Sequence, residues 1–123
     1  MPVLYGDEPP PVGSGTGPSP SHLLAAAVAN CLSDSLVFAL RKFKQNAEPI
    51  ETSATAVIER NAANRLRVQS IRVTLKLGAA PDSRAHLERA LEQFEDFCTV
   101  SQSVRQAIPV AVEVYDNAGR RLK

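Results

Sequence analysis

Hydrophobic positions are densest between residues 19 and 44, where the first half of the segment is apolar on nearly every side of a helical projection. Ser19 is a good N-cap, Pro20 suits the first helical position, and the basic residues near Lys44 suit the C-terminal end of a helix dipole. The pattern predicts one long helix, ending near Lys44, that the rest of the fold must cover.

The next two segments favour extended chain, and the second alternates apolar and polar residues with a period of two, which is typical of a strand. They comprise residues 50–59 and 66–77, and the sequence RNAANR between them can reverse the chain. The pattern therefore predicts a β-hairpin with one face on the core. The residues expected on the core face of the second strand are Ile71, Val73, Leu75 and Leu77.

The last third of the chain returns to a helical period and then to alternation. A second helix is predicted from about Ser83, followed by a short helix over residues 99–108 and a third strand over residues 109–115. The apolar stripe of the second helix leads to Cys98 and consists of Leu87, Ala90, Leu91, Phe94 and Phe97. The strand is expected to turn Val110, Val112 and Val114 inward.

These elements predict an α+β fold in which helices cover one face of an antiparallel sheet. Residues 1–18 are rich in proline and glycine and predict a flexible N-terminal arm, and residues 19–123 are expected to form a single domain. The arm contains GSGTG, which does not match a phosphate-binding loop because the spacing is wrong and no strand can precede it.

Composition and charge narrow the classes of function. The chain has 123 residues and a formal net charge of +1 at pH 7, which predicts one modest core and gives no strong attraction to nucleic acid or to anionic membranes. No uninterrupted apolar run predicts a membrane span, and no signal-peptide pattern is visible. We therefore expect a cytoplasmic protein with no nucleic acid or membrane partner. Neither histidine has other ligands at metal-binding spacing, so no metal is expected.

The candidate chemistry lies in two cysteine-containing stretches. Cys31 lies in PSHLLAAAVANCLSDSL, and Cys98 begins CTVSQSVRQAIPVAVEV sixty-seven residues later. In a reducing cytosol we expect reactive or buried thiols rather than a structural disulfide. The two stretches together resemble the two cysteine motifs of the OsmC/Ohr family (osmotically inducible protein C and organic hydroperoxide resistance proteins). The resemblance extends from about Pro18 to Val114.

The resemblance implies an OsmC-like fold that forms an interlocked homodimer, with the long helix central and the active sites near the subunit interface. It also implies that Cys31 attacks an organic hydroperoxide as a thiolate and becomes a sulfenic acid. Cys98 then resolves the sulfenic acid into a disulfide, in agreement with general thiol chemistry. An external dithiol, of the lipoyl type in the Ohr branch, reduces the disulfide, and no bound cofactor is implied.

Two features of the peroxidase branches of the family are missing from this chain. In those branches a glutamate follows the first proline of the central helix and helps to hold an arginine over the reactive sulfur. Ser21 occupies the position of that glutamate, and no arginine precedes Arg41. The residues that would stabilise the thiolate are therefore not where the family has them.

Local electrostatics predict a protonated Cys31. Its position is roughly 16 Å from the start of its own helix, so the favourable end of the dipole cannot help it. Burial, and Asp34 one turn later, would raise its pKa. Cys98 directly precedes a short helix whose first N–H groups would favour a thiolate there. Local electrostatics thus favour Cys98 as the reactive thiolate, while the family resemblance favours Cys31.

Two residues are candidates to replace the missing cation. His22 is expected to hydrogen-bond at the helix start. If it is functional, a His22 imidazolium from either subunit is one candidate to replace the missing arginine. Arg105 lies about two helical turns beyond Cys98 on the same face and is another. His86 is expected at the surface.

Three functions fit these residues. The first is a thiol-dependent peroxidase for organic hydroperoxides, with Cys31 attacking and Cys98 resolving. The second is a non-peroxidase OsmC-like protein that serves another redox reaction or binds a small apolar ligand, and the third is a structural or interaction module. We favour the first. An absence of strands before Gly17 would weaken it, because the sheet would lose an edge and the pocket a wall.

Overall fold

The long helix is at the centre of the structure, a computed structural model that describes all 123 residues. This helix, α1 (Pro20–Lys42), begins with a capping box: Ser19 Oγ accepts the N–H of His22, and His22 Nδ1 accepts the N–H of Ser19. The helix ends two residues before the expected Lys44, because Lys44 adopts a positive φ of 56° and turns the chain away. The predicted long helix is otherwise present.

The sheet contains three strands in the order β1-β2-β3. The hairpin forms as predicted from β1 (Glu51–Arg60) and β2 (Leu66–Lys76), which pair antiparallel. The third strand, β3 (Val110–Tyr115), pairs with the other edge of β2 and runs parallel to it, with Ile71 opposite Val110. The expectation of a wholly antiparallel sheet is therefore wrong at β3.

A helical connection between β2 and β3 explains the parallel pairing, since parallel neighbours require a crossover. It contains α2 (Arg84–Gln93), a 3₁₀ turn (Phe94–Phe97) and α3 (Thr99–Val104). Phe94 is fully buried, as its position on the apolar stripe predicts. Phe97 is 68% exposed, so its predicted burial is wrong: the tighter 3₁₀ turn changes the helical period just before Cys98.

The core lies between α1, the sheet and the helical connection. By length and hydropathy alone α1 could also cross a membrane, but here its most apolar side is covered by the fold. The α+β class is confirmed, and the core side of β2 is the one predicted. The largest side chains that are at most 1% exposed are Val28, Leu32, Leu36, Leu40, Ile71, Val73, Leu75, Leu77, Phe94 and Val114.

Residues 1–18 contain neither a helix nor a strand. The carboxylate of Asp7 accepts the N–H groups of Glu8, Ser14 and Thr16 and the hydroxyl of Thr16. These hydrogen bonds, led by those from Thr16, lower the pKa of Asp7 to about 2. The GSGTG segment thus folds around one carboxylate. The division into an arm and a single domain at residue 18 stays a prediction.

The capping box gives a first testable prediction. Replacing Ser19 with alanine removes the acceptor for the His22 N–H, and we expect a loss of about 1 kcal/mol in the free energy of unfolding. Urea denaturation followed by far-ultraviolet circular dichroism measures the loss. The matched control is Ser21→Ala, because Ser21 makes no capping hydrogen bond. Equal losses in the two variants would contradict the role of the box.

Candidate functional site

The two cysteines, far apart in sequence, belong to elements that pack against each other. Cys31 lies in the middle of α1 and is partly exposed, whereas Cys98 is the N-cap residue of α3 and is fully buried. Both thiols are free. Cys31 packs against the core cluster that contains Cys98, and the two thiols are close enough for Cys98 to act on the pKa of Cys31.

The surroundings of Cys31 act on its thiol in opposite directions. Burial is the largest influence and raises the pKa of Cys31, while a hydrogen bond from the backbone N–H of Val100 lowers it. The neighbouring Cys98 raises this pKa through its hydrogen bond and its charge, and the hydroxyl of Ser35 lowers it. The net effect raises the pKa of Cys31 above its ordinary value, as the sequence predicts.

The donors to Cys31 differ from those that the sequence predicts. The N–H groups at the start of α3 were expected to serve Cys98, yet the N–H of Val100 in that first turn points to Cys31. Asp34 lies towards the β1 side of α1 and is not among the groups that shift the pKa of Cys31. Sequence reasoning missed both donors: the spacing of Ser35, one helical turn after Cys31, could have revealed one. Nothing in the sequence pairs Val100 with α1.

Neither candidate for the missing cation contacts Cys31 within this chain. His22 precedes Cys31 by nine residues, which places it about 180° around α1, and its Nδ1 is used in the capping box. The expected hydrogen-bonding role of His22 is confirmed. Arg105 donates from Nη2 to Glu95 Oε1 at 2.5 Å and to the carbonyl of Val110 at 3.1 Å, so it is committed to an ion pair.

His86 lies at the surface, as expected. Its ring stacks on Phe43, with 5.1 Å between the ring centroids. This contact attaches the start of α2 to the end of α1 and has no connection with either thiol.

The largest groove in the structure is not at the cysteines. It lies between α1 and β1, with a volume of about 1130 Å³, and neither cysteine lines it. Beside this groove the hydroxyls of Ser33 and Thr52 hydrogen-bond at 2.5 Å and attach α1 to β1. Two exposed aromatic side chains neighbour the cysteines along the chain: Phe97 directly precedes Cys98, and Phe38 follows Cys31 by about two turns on the same side of α1.

Comparisons with solved structures find the same fold in several proteins. A Psychrobacter arcticus protein named for osmotic stress induction and a detoxification response has 22% identity and a TM-score of 0.73, over 91% of this chain and 79% of that one. The organic hydroperoxide resistance protein OhrB of Bacillus subtilis has 17% identity and a TM-score of 0.64, over 80% and 71%. An organic hydroperoxide resistance protein from Elizabethkingia anophelis has 17% identity and a TM-score of 0.69, over 85% and 74%.

The fold is the one shared with these solved structures, and a sequence comparison identifies the family. The family model described as OsmC-like protein matches residues 13–113. The chain therefore belongs to the OsmC-like family, as its two cysteine motifs predict. A comparison with curated proteins finds no match.

The hydroxyl of Ser35 gives the second prediction. Because this hydroxyl lowers the pKa of Cys31, we expect Ser35→Ala to raise that pKa further and to shift the thiolate to higher pH. The pH profile of iodoacetamide alkylation at Cys31, followed by mass spectrometry, measures the shift. Ser33→Ala is the control, since the Ser33 hydroxyl bonds Ala29 and Thr52 instead. Superimposable profiles for Ser35→Ala and the wild type would contradict the assignment.

Proposed function

We propose that this protein is a thiol-dependent peroxidase that reduces organic hydroperoxides, with Cys31 as the attacking thiol and Cys98 as the resolving thiol. The observation that carries the proposal is the contact between two free thiols that are sixty-seven residues apart in sequence. The names of its structural neighbours, which include organic hydroperoxide resistance proteins, support the choice of substrate class.

The difference in exposure between the two cysteines supports the proposed roles. Cys31 is partly exposed, so a peroxide can reach it from solvent, whereas Cys98 is fully buried behind it. The thiolate of Cys31 attacks one peroxide oxygen, the O–O bond breaks, and the departing alkoxide takes a proton to become an alcohol. The sulfur, oxidised by two electrons, becomes a sulfenic acid. The N–H of Val100 and the hydroxyl of Ser35 are the donors that stabilise the attacking thiolate.

The second step uses the contact between the thiols. The sulfur of Cys98 attacks the sulfur of the Cys31 sulfenic acid, an S–S bond forms, the S–OH bond breaks and water leaves. An external dithiol then reduces the disulfide and is itself oxidised to a disulfide, which restores both thiols. No bound cofactor takes part in this cycle, and the need for a reducing dithiol agrees with a cytoplasmic location.

Two exposed aromatic side chains that neighbour the cysteines along the chain support an organic substrate and a second subunit. Phe38 is 73% exposed and Phe97 is 68% exposed, and large exposed aromatic side chains near one site favour burial against a partner or an apolar ligand. We propose that a second copy of this chain covers part of this surface in a homodimer. The remaining aromatic surface forms the entrance for the peroxide.

A second function is favoured by two observations. No strand forms before Gly17, and no cation is among the groups that act most strongly on the pKa of Cys31. Both suit a non-peroxidase OsmC-like protein in which the cysteine pair serves another redox reaction or lines a site for a small apolar ligand. Slow reaction with peroxides and intact dithiol–disulfide chemistry would identify this second function.

Peroxide reactivity is the third prediction. We expect cumene hydroperoxide to oxidise the reduced protein faster than hydrogen peroxide does, because the surroundings of Cys31 are apolar. Cys31→Ser abolishes the fast reaction, and Cys98→Ser stops it at a sulfenic acid that dimedone traps. Mass spectrometry of the two variants after one equivalent of peroxide measures both outcomes. Oxidation at the rate of a free thiol, unchanged by either substitution, would falsify the proposed peroxidase function.

The homodimer gives the fourth prediction. A charge at Phe38 would be buried at the proposed interface, so we expect Phe38→Glu to convert the dimer to a monomer in size-exclusion chromatography with light scattering. The matched control is Lys42→Glu, which introduces a carboxylate one turn later on an exposed part of α1. A monomeric wild type, or a variant that stays dimeric, would contradict the proposed interface.

A further inference from the structure

A half-buried ion cluster lies close to Cys98 and has no part in the proposed reaction described so far. Glu95 is its centre: Oε1 accepts from Arg105 Nη2 at 2.5 Å and Oε2 accepts from Lys123 Nζ at 2.5 Å. The side chain of Glu95 is 16% exposed and those of Arg105 and Lys123 are 26% and 35% exposed. We call these three residues the Glu95 cluster.

The Glu95 cluster joins parts of the chain that lie on either side of Cys98. Glu95 is in the 3₁₀ turn before Cys98, and Arg105 is the C-cap residue of α3 after it. Arg105 also donates to the carbonyl of Val110 at the start of β3, and Lys123 Nζ donates to the carbonyl of Leu91 in α2 at 2.8 Å. The turn, α3, α2 and β3 are thus held together by one carboxylate.

The backbone of Glu95 extends this arrangement to Cys98 itself. The carbonyl of Glu95 accepts the N–H of Cys98 at 3.1 Å and the Nε2 amide of Gln102 at 2.9 Å. The side chain and the carbonyl of one residue therefore fix the segment before Cys98, the N–H of Cys98 and the helix that follows. Since Cys98 is fully buried and its backbone is held here, a displacement of this segment displaces its sulfur.

The opposite charges of its members stabilise the Glu95 cluster. Burial by itself raises the pKa of Glu95, but the hydrogen bonds and charges of Lys123 and Arg105 outweigh burial and hold the pKa below its ordinary value. The carboxylate is therefore ionised at neutral pH. Removing its charge leaves two half-buried cations without their anion, and such cations move towards water.

We propose that Glu95 is a positioning residue for Cys98, which holds the resolving thiol against Cys31 so that the disulfide closes rapidly. The kinetic part of this inference rests on the proposed peroxidase function. Disulfide geometry is narrow, with the Cα atoms usually about 4.4–6.8 Å apart, so a small displacement of the Cys98 segment disfavours the bond. Glu95 touches neither sulfur and acts through the backbone that carries Cys98.

The fifth prediction concerns Glu95→Gln, which keeps the size of the side chain and removes its charge. After one equivalent of cumene hydroperoxide, we expect sulfenic acid to form at Cys31 with a much smaller loss of rate than disulfide closure shows, because the Ser35 hydroxyl on α1 still acts on the thiol. We expect the Cys31–Cys98 disulfide to close about tenfold more slowly, as is typical of lost coupling in a charge network. Dimedone trapping at timed intervals and mass spectrometry separate the two steps. A merely structural effect would slow both steps to the same extent.

A second measurement does not need peroxide. In dithiothreitol buffers of defined redox ratio, we expect Glu95→Gln to shift the equilibrium of the Cys31–Cys98 pair about tenfold towards the dithiol, because Cys98 is no longer held in place. This measurement distinguishes failure of the proposed peroxidase function from failure of the positioning role of Glu95. If peroxide oxidises the wild type slowly but the equilibrium shift is present, the proposed peroxidase function is wrong and the positioning role of Glu95 is supported.

Matched variants keep the test decisive. Glu88→Gln removes a carboxylate from an exposed pair with Arg84 on α2, and we expect no change in closure rate or equilibrium. Lys123→Gln retains the Glu95–Arg105 pair and folds even if Glu95→Gln does not, and we expect a smaller shift in the same direction. Lys123→Arg, which keeps the charge, restores wild-type values. Wild-type closure and equilibrium in Glu95→Gln, or in Lys123→Gln where the former does not fold, would overturn the proposal.

Discussion

A helix that is apolar on most sides needs cover on most sides, and within this chain α1 is covered by the sheet on one side and by the helical connection on another, while more than half of its most apolar stretch is left unburied. Val28, Leu32 and Leu36 are completely buried in the resulting core. The same packing brings α3 and the 3₁₀ turn onto α1, which is why Cys31 and Cys98 meet. The cysteine contact is thus a consequence of how the central helix is buried.

The chemistry of the site follows from the uneven cover of α1. The covered side holds the core, and the partly exposed side leaves Cys31 accessible, with Phe38 exposed about two turns further along α1. Partial burial raises the pKa of Cys31, and the N–H of Val100 and the hydroxyl of Ser35 oppose that effect. The pKa of the thiol is therefore set by burial and by donors from two helices, the N–H of Val100 in α3 and the hydroxyl of Ser35 in α1.

The Glu95 cluster adds ion pairs to the apolar packing around Cys98. The 3₁₀ turn breaks the helical period, so that Phe94 and Cys98 are buried while Phe97 is exposed. The contacts of Glu95 with Arg105 and Lys123 add directional bonds to this packing. Packing of α1 places the cysteines together, and the ion cluster refines the position of one of them.

Periodicity and capping residues determined most of the elements and the class of fold: Ser19 and Pro20 at the start of α1, the alternation of β2, and the two cysteine motifs were sufficient. These signals are local, because they depend on residues within a few positions of one another. Alternation in β3 predicts a strand but carries no information about its direction, so only the crossover decided that β3 runs parallel to β2. The donors to Cys31 and the partners of Glu95 were likewise decided by tertiary structure, because hydrogen bonds and ion pairs between distant segments depend on packing that no local pattern encodes.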